Sequence, residues 1–219
     1  VLLEIDGLKG GHSGVDINKC RINANMLAAR ILNKAKKITD FNLIKINSGT
    51  KDNAIPFSCR AELAVDNAEK FIGIMNDYIS DLKNEISDRE EACSVNLTAG
   101  TEDDFEVLTP CDRDKLIYLL LTTPNGVVDM SAQIEGLVET SLNLGVLKTK
   151  PDGIVMRYAL RSNKASALTF LEDRMTAFAE YNGCGSQISC RYEPWEFKKD
   201  SPLRELYSKA FCEKFGREI

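Results

Sequence analysis

Twice along the chain, an apolar-polar alternation runs into a turn, a second alternation and then a helical stripe. The first copy reads KINSGTKDNAIPFSCRAELAVDNAEKF and the second LNLGVLKTKPDGIVMRYALRSNKASALTF. In the first, Phe57, Cys59, Ala61, Leu63 and Val65 alternate; in the second, Ile154, Met156, Tyr158 and Leu160 do. A period of two puts each set on one face of a strand and leaves the other face for water. A hairpin with one apolar face has to be covered, and the stripe that follows each one supplies the cover. The pattern therefore predicts an α+β fold: a two-layer sandwich whose antiparallel sheet is covered by helices on one face. It is built from two related hairpin-plus-helix units, a ferredoxin-like duplication.

The remaining elements fit around these units. VLLEIDGL reads as a strand from residue 2, and FNLIKIN as another. Ala24, Leu27, Ala28, Ile31, Ala35 and Ile38 recur at steps of three and four, which predicts a helix over 20–38. Asp66 followed by Glu69 reads as a helix start, and Phe71, Met75, Tyr78, Leu82 and Ile86 form its stripe. CSVNLTA returns to alternation. TEDDFE reads as an exposed connection between halves of about 1–100 and 101–200. A short helix is predicted near 112–122, then a turn at TTPNG, and a helix over 165–181. QISCRY reads as a last strand. Ser201 then caps a helix that has Pro202 at its first position.

Charge and cysteines narrow the class. A net charge of −5 argues against a nucleic-acid partner, since phosphate binding needs a basic surface. The longest strongly apolar run, LIYLLL, falls far short of the ~20 residues that span a bilayer, so no membrane partner is expected. The 7 cysteines include no C-x-x-C pair. With no secretory signal in view they read as reduced thiols, which points to the cytoplasm. The chain is already a strand at residue 2 and stops just after a helix, so it reads as a segment of a longer protein.

GLKGGHSG, residues 7–14, holds the sole histidine, His12. An imidazole can donate a hydrogen bond, shuttle a proton or bind a metal, and neighbours such as Gly11 clear side chains from its path. A zinc site needs three or four ligands, and no second histidine exists to help. The loop also lacks the Gly-Lys-Ser/Thr ending of a phosphate cradle. The alternative is an idle, solvent-exposed loop residue. Asn53, in TKDNAIP, either serves its own turn or aims its amide at a substrate carbonyl or carboxylate. Arg161, at the end of MRYALRS, has the fork that suits a carboxylate, with Arg157 and Arg60 as rivals.

Taken in order, GLKGGHSGVDI, RINANMLAARIL, NSGTKDNAIP, TTPNGVV, VETSLNLGV and LRS resemble the aminoacyl-histidine dipeptidases. These are zinc exopeptidases in which a lid domain is inserted into a catalytic domain that holds two metal ions. The resemblance runs over nearly the whole chain. It implies that residues 1–200 are a lid and that 201–219 begin the returning catalytic domain. His12 matches the lid histidine that reaches the active site, in its own or a partner subunit, and stabilises the oxyanion. Asn53 and Gly11 match substrate-binding positions, and Arg161 an arginine that holds the substrate's terminal carboxylate. The two zinc ions would be held by ligands outside this chain, which would bind none itself and be inactive alone. The implied partners are a dipeptide, of Xaa-His type, the catalytic domain of the same parent and a second copy of the chain.

Two other readings use the same residues. One is a non-catalytic association module, which sedimentation would reveal. The other is an independent small-molecule binder using the glycine loop, which titration with dipeptides or nucleotides would reveal.

Overall fold

The computed structural model describes residues 1–100, 105–196, 198 and 200–218. Most of the TEDDFE connection lies outside the described residues. The first half runs β1 (Leu2–Asp6), β2 (Gly11–His12), α1 (Ala24–Ile38), β3 (Asn42–Ser48), β4 (Ala54–Ile55), β5 (Cys59–Ala64), α2 (Ala68–Ile86) and β6 (Ser94–Thr98). The second half runs α3 (Pro110–Thr122), β7 (Gly126–Met130), β8 (Val138–Lys150), β9 (Gly153–Ser162), α4 (Ala165–Tyr181) and α5 (Pro202–Phe215).

One antiparallel sheet joins the halves. Its order is β6-β1-β5-β3-β8-β7, with β9 also paired to β8. The first four strands carry the order of a βαββαβ ferredoxin-like unit. The buried face collects Leu3, Ile5, Leu43, Ile46, Cys59, Ala61, Leu63 and Val95. The open face carries charge, with Arg60 opposite Glu4 and Lys45 bonded to Glu62 at 2.8 Å. That split is the predicted alternation, and it forbids a one-residue slip of register.

Helix α1 lies on the sheet between α2 and α3. Its fully buried alanines, Ala24, Ala28, Ala29 and Ala35, let the backbones approach closely, and Lys36 and Lys37 sit where the helix dipole favours cations. Helix α4 covers β9. Helix α5 buries none of its residues, and Ser201 caps it as predicted.

Strand β8 is the seam. Ten of its 13 residues pair with β9 along one edge. The other edge is shared, with β7 pairing at 138–142 and β3 at 147–148. Only two residue pairs join β3 to β8. The side chain of Thr149 extends the joint, accepting from Ile46 N at 2.9 Å and donating to Ile46 O at 3.0 Å.

Several elements differ from expectation. Helix α1 starts at Ala24 rather than 20, because Asn23 caps it through Asn25 N while Cys20 takes a φ of +53° that no helix tolerates. Helix α2 is capped by Asn67, whose side chain accepts from Lys70 N, not by Asp66. QISCRY forms no strand: Arg191 ties it to Glu172 at 3.0 Å and Thr169 at 3.1 Å, against α4 instead of a sheet edge. Strands β2, β4 and β7 carry no alternation long enough to announce them. The second half has the hairpin and two helices of the first. Among the described residues it has no counterparts of the outer strands β1 and β6.

Candidate functional site

Two loops meet beside the C-terminal end of β9. The first, between β1 and α1, carries His12. The second, between β3 and β5, carries Asn53. They join as a small second sheet in which Gly11 faces Ile55 and His12 faces Ala54. Ser13 N donates to Asn53 O at 2.9 Å, so the two candidate residues are locked side by side.

The His12 ring is exposed but not free to turn. Its Nδ1 accepts from Gly14 N at 3.1 Å and Val15 N at 3.3 Å. A nitrogen that accepts carries no proton, so the hydrogen bonds assign the neutral ring's proton to Nε2. His12 N in turn donates to Asp16 Oδ2 at 2.9 Å. Asp16 also takes Lys19 at 2.8 Å and Arg21 at 3.1 Å. The Lys19 hydrogen bond, then the His12 amide and the nearby Arg21 charge, hold the Asp16 carboxyl below its usual range.

The room at Gly11 is filled by the protein itself. Its φ is +140°, and a Cβ there would fall 2.1 Å from Arg21 Nη1 and 2.7 Å from Asp16 Oδ2. Gly11 therefore leaves room for the Arg21 and Asp16 side chains of its own loop. Gly14 lies under the ring, where a Cβ would be 3.1 Å from His12 Cε1 and 3.5 Å from Arg161 Cζ.

That second distance places Arg161 at the site. Its Nε donates to Ser13 Oγ at 3.2 Å, and its Nη1 reaches Tyr192 OH at 3.5 Å. Strand β9 thus aims one arginine at the histidine loop across 148 residues of sequence. Arg157 lies four residues back along β9, about 13 Å away at the rise of an extended strand. Arg60 sits on the open face with Glu4. Of the three arginines, Arg161 is the one bonded to the His12 loop, at Ser13. Asn53, Gly14, Arg161 and Tyr192 line one end of an open groove of about 1880 Å³ that continues between α3 and α4.

Sequence reasoning gave no role to the residues beneath Asn53. Asn143, fully buried on β8, donates from Nδ2 to Asp52 O at 2.9 Å and Ala54 O at 2.8 Å. Asn23 donates to Asn143 Oδ1 at 3.2 Å and Leu144 O at 2.9 Å, and Asn125 Oδ1 accepts from Leu144 N at 2.8 Å. Gly145 forms a bulge against β9, and a Cβ on it would lie 2.3 Å from Asp52 O. The signal was present in RINAN, PNG and LNLG, but buried amides look like solvated ones in a sequence.

Among the described residues, no group of three or more His, Cys, Asp or Glu could hold a metal. The Cys59 thiol is pushed up to about 12 by burial, which removes it as a nucleophile. Among the described residues, no helix is long and apolar enough to cross a membrane. The arrangement can therefore offer one directed N–H, one amide and one guanidinium around a small polar ligand.

A family model described as the peptidase dimerisation domain matches residues 3–90, the span from β1 through the turn after α2. Residues 3–90 are thus similar to a peptidase dimerisation domain. The cytosol non-specific dipeptidase of Escherichia coli (strain K12) is 33% identical over 215 residues, which cover 95% of this chain and 44% of that protein. The crystal structure of aminoacylhistidine dipeptidase from Vibrio alginolyticus matches with a TM-score of 0.87 and 32% identity. That match covers 99% of this chain and 44% of the other. The fold is thus that of the matching part of a dipeptidase, and the chain spans less than half the length of both relatives. Within residues 3–90, β3 pairs at Asn47 and Ser48 with β8 of the same chain.

Proposed function

We propose that this chain is the lid of a dipeptidase and that it lends His12, Asn53 and Arg161 to a reaction whose metal centre lies elsewhere in the parent protein. Residues 1–200 are the lid, and 201–219 begin the return to the catalytic domain. The exposed apolar side chains of α5, Leu203, Leu206 and Tyr207, suit a helix that packs on another domain. The named relatives are dipeptidases, one of them cytosolic by name, which supports peptide-bond hydrolysis in the cytoplasm. The zinc pair that the resemblance implies finds no ligand set among the described residues, and the reading assigns it to the rest of the parent.

The observation that carries the reading is the orientation of the His12 ring. With Nδ1 committed to Gly14 and Val15, Nε2–H is the donor left to point outward. A donor fixed before the substrate arrives stabilises negative charge growing on the scissile carbonyl oxygen, worth about 3–4 kcal/mol per donor. Arg161 holds the substrate's terminal carboxylate through its fork, and Asn53 binds the peptide with its amide. Gly11 contributes through the shape it gives the loop. Replacing His12 by Ala in the parent enzyme is expected to cut kcat by about 10²–10³-fold at unchanged metal content. Wild-type turnover in that variant would remove the oxyanion role.

A homodimer is the second part of the reading, supported by the family's description. Sedimentation across micromolar concentrations reads it directly, and a species at monomer mass throughout would remove it.

A further inference from the structure

The His12 loop follows β1 and leads into α1, and one side chain grips it at two points, Lys9 and Ile22. Glu90, just past α2, is 2% exposed. Its Oε2 accepts from Lys9 N at 2.7 Å and its Oε1 from Ile22 N at 3.0 Å. No lysine, arginine or histidine forms an ion pair with it among the described residues. A buried carboxylate without a counter-ion is costly, and such a charge persists where its acceptors are used. Here each oxygen satisfies one backbone N–H that the loop would otherwise bury unpaired.

The chemistry of the group explains the choice of residue. A carboxylate offers two equivalent acceptors at one site, whereas a glutamine offers one and turns two donors toward the second amide. Glutamine would therefore keep one stem and repel the other. The remaining restraints on the loop, Asp16 and the Gly14 and Val15 amides, lie inside the loop and move with it. Besides Glu90, the pairing of β2 with β4, Ser13 N on Asn53 O, Asn18 Nδ2 on Gly136 O, and Arg161 on Ser13 tie it to the body of the protein, but none of these holds the two ends of the loop.

We propose that Glu90 is a positioning residue for His12, a two-point clamp that sets where Nε2–H is presented. The inference rests on the lid reading for its effect on catalysis, but its structural half can be tested without substrate. Hydrogen exchange of the full-length protein should show segment 9–22 exchanging at least tenfold faster in Glu90→Gln, with α1 and α2 at their wild-type rates. In dipeptide hydrolysis the same variant should lose about tenfold or more in kcat at nearly unchanged KM. Added to His12→Ala, it should cost nothing further, because two residues acting through one donor are not additive. Wild-type exchange in segment 9–22 would overturn the clamp. A full second loss on top of His12→Ala would overturn its link to the histidine. If Glu90→Gln does not fold, Glu90→Asp keeps both acceptors on a shorter reach and must show the same loop-confined exchange. Global unfolding of both would assign Glu90 to the whole fold and end the proposal. Should the parent prove not to be a dipeptidase, the kinetic arms fall with that reading while the exchange arm still decides the clamp.

Discussion

The two loops that make the site are held in opposite ways. The His12 loop is gripped by carboxylates: Glu90 at its stems and Asp16 behind the ring, with Lys19 and Arg21 around Asp16. The Asn53 loop is held by neutral groups alone, the amide of Asn143 and the bare backbone of Gly145. One mounting depends on charge, from the buried Glu90 and the partly solvated Asp16, and the other on close contact of neutral groups. The difference teaches how one site can combine an adjustable element with a fixed one. The loop with the directed donor sits on the mounting that acid can loosen, and the loop for substrate contact sits on one that it cannot.

The largest effect should come from filling the fixed mounting. In Gly145→Ala the new Cβ meets backbone, Asp52 O at 2.3 Å and Asp52 Cα at 2.5 Å, so no side chain can swing aside. Segment 49–54 must lift, and overpacking of this kind costs typically 1–3 kcal/mol, here expected about 3. Thermal unfolding reads that loss, and hydrogen exchange should show it centred on 49–54. A variant that matches wild type in both would show that the neutral mounting yields after all.

Asn143→Ala should follow at about 2 kcal/mol. It leaves Asp52 O and Ala54 O, in a part-buried position, without their donor, a penalty of roughly 1–3 kcal/mol for such groups. Asn143→Asp sharpens the comparison, because it puts charge into the mounting that has none. A carboxylate facing two carbonyl oxygens repels both, so denaturant titration should find Asp worse than Ala above neutral pH. If Asp is the better tolerated, the fixed mounting is not a neutral one.

These mountings differ also in how far the sequence announced them. The strands β5 and β9 and the helix α4 were legible because periodicity is a local signal and their partners lie close in the chain. Ser201 and Pro202 marked α5 for the same reason. The motif residues His12, Asn53 and Arg161 were legible as chemistry, but their meeting was not. It depends on Arg161 crossing to Ser13 over a β8 joint of two residue pairs. Glu90 and Asn143 were invisible because acids and amides are ordinarily solvated, and only the fold reveals that they are buried. QISCRY failed in the other direction: its alternation was real, but Arg191 found α4 before any sheet edge found the segment.

The smallest effect is the most direct test of the adjustable mounting, because it changes only pH. The Asp16 carboxyl is held below its ordinary value, first by the Lys19 hydrogen bond and then by the His12 amide. A lowered carboxylate contributes stability at any pH above the unfolded value, about 3.9. That contribution drains away as pH falls through the lower folded value. Between these limits, and only on the acid side, the His12 loop should loosen while segment 49–54 stays protected, since its bonds join amides to carbonyls that do not titrate. The Asp16 carboxyl ¹³C resonance should show a midpoint below the usual one, and Lys19→Met should move it back upward. In Asp16→Asn, the loop's exchange protection should no longer step over that range. If both loops loosen together on acidification, or neither does, then the charged and neutral mountings are not independent, and the division between an adjustable donor and a fixed contact is lost.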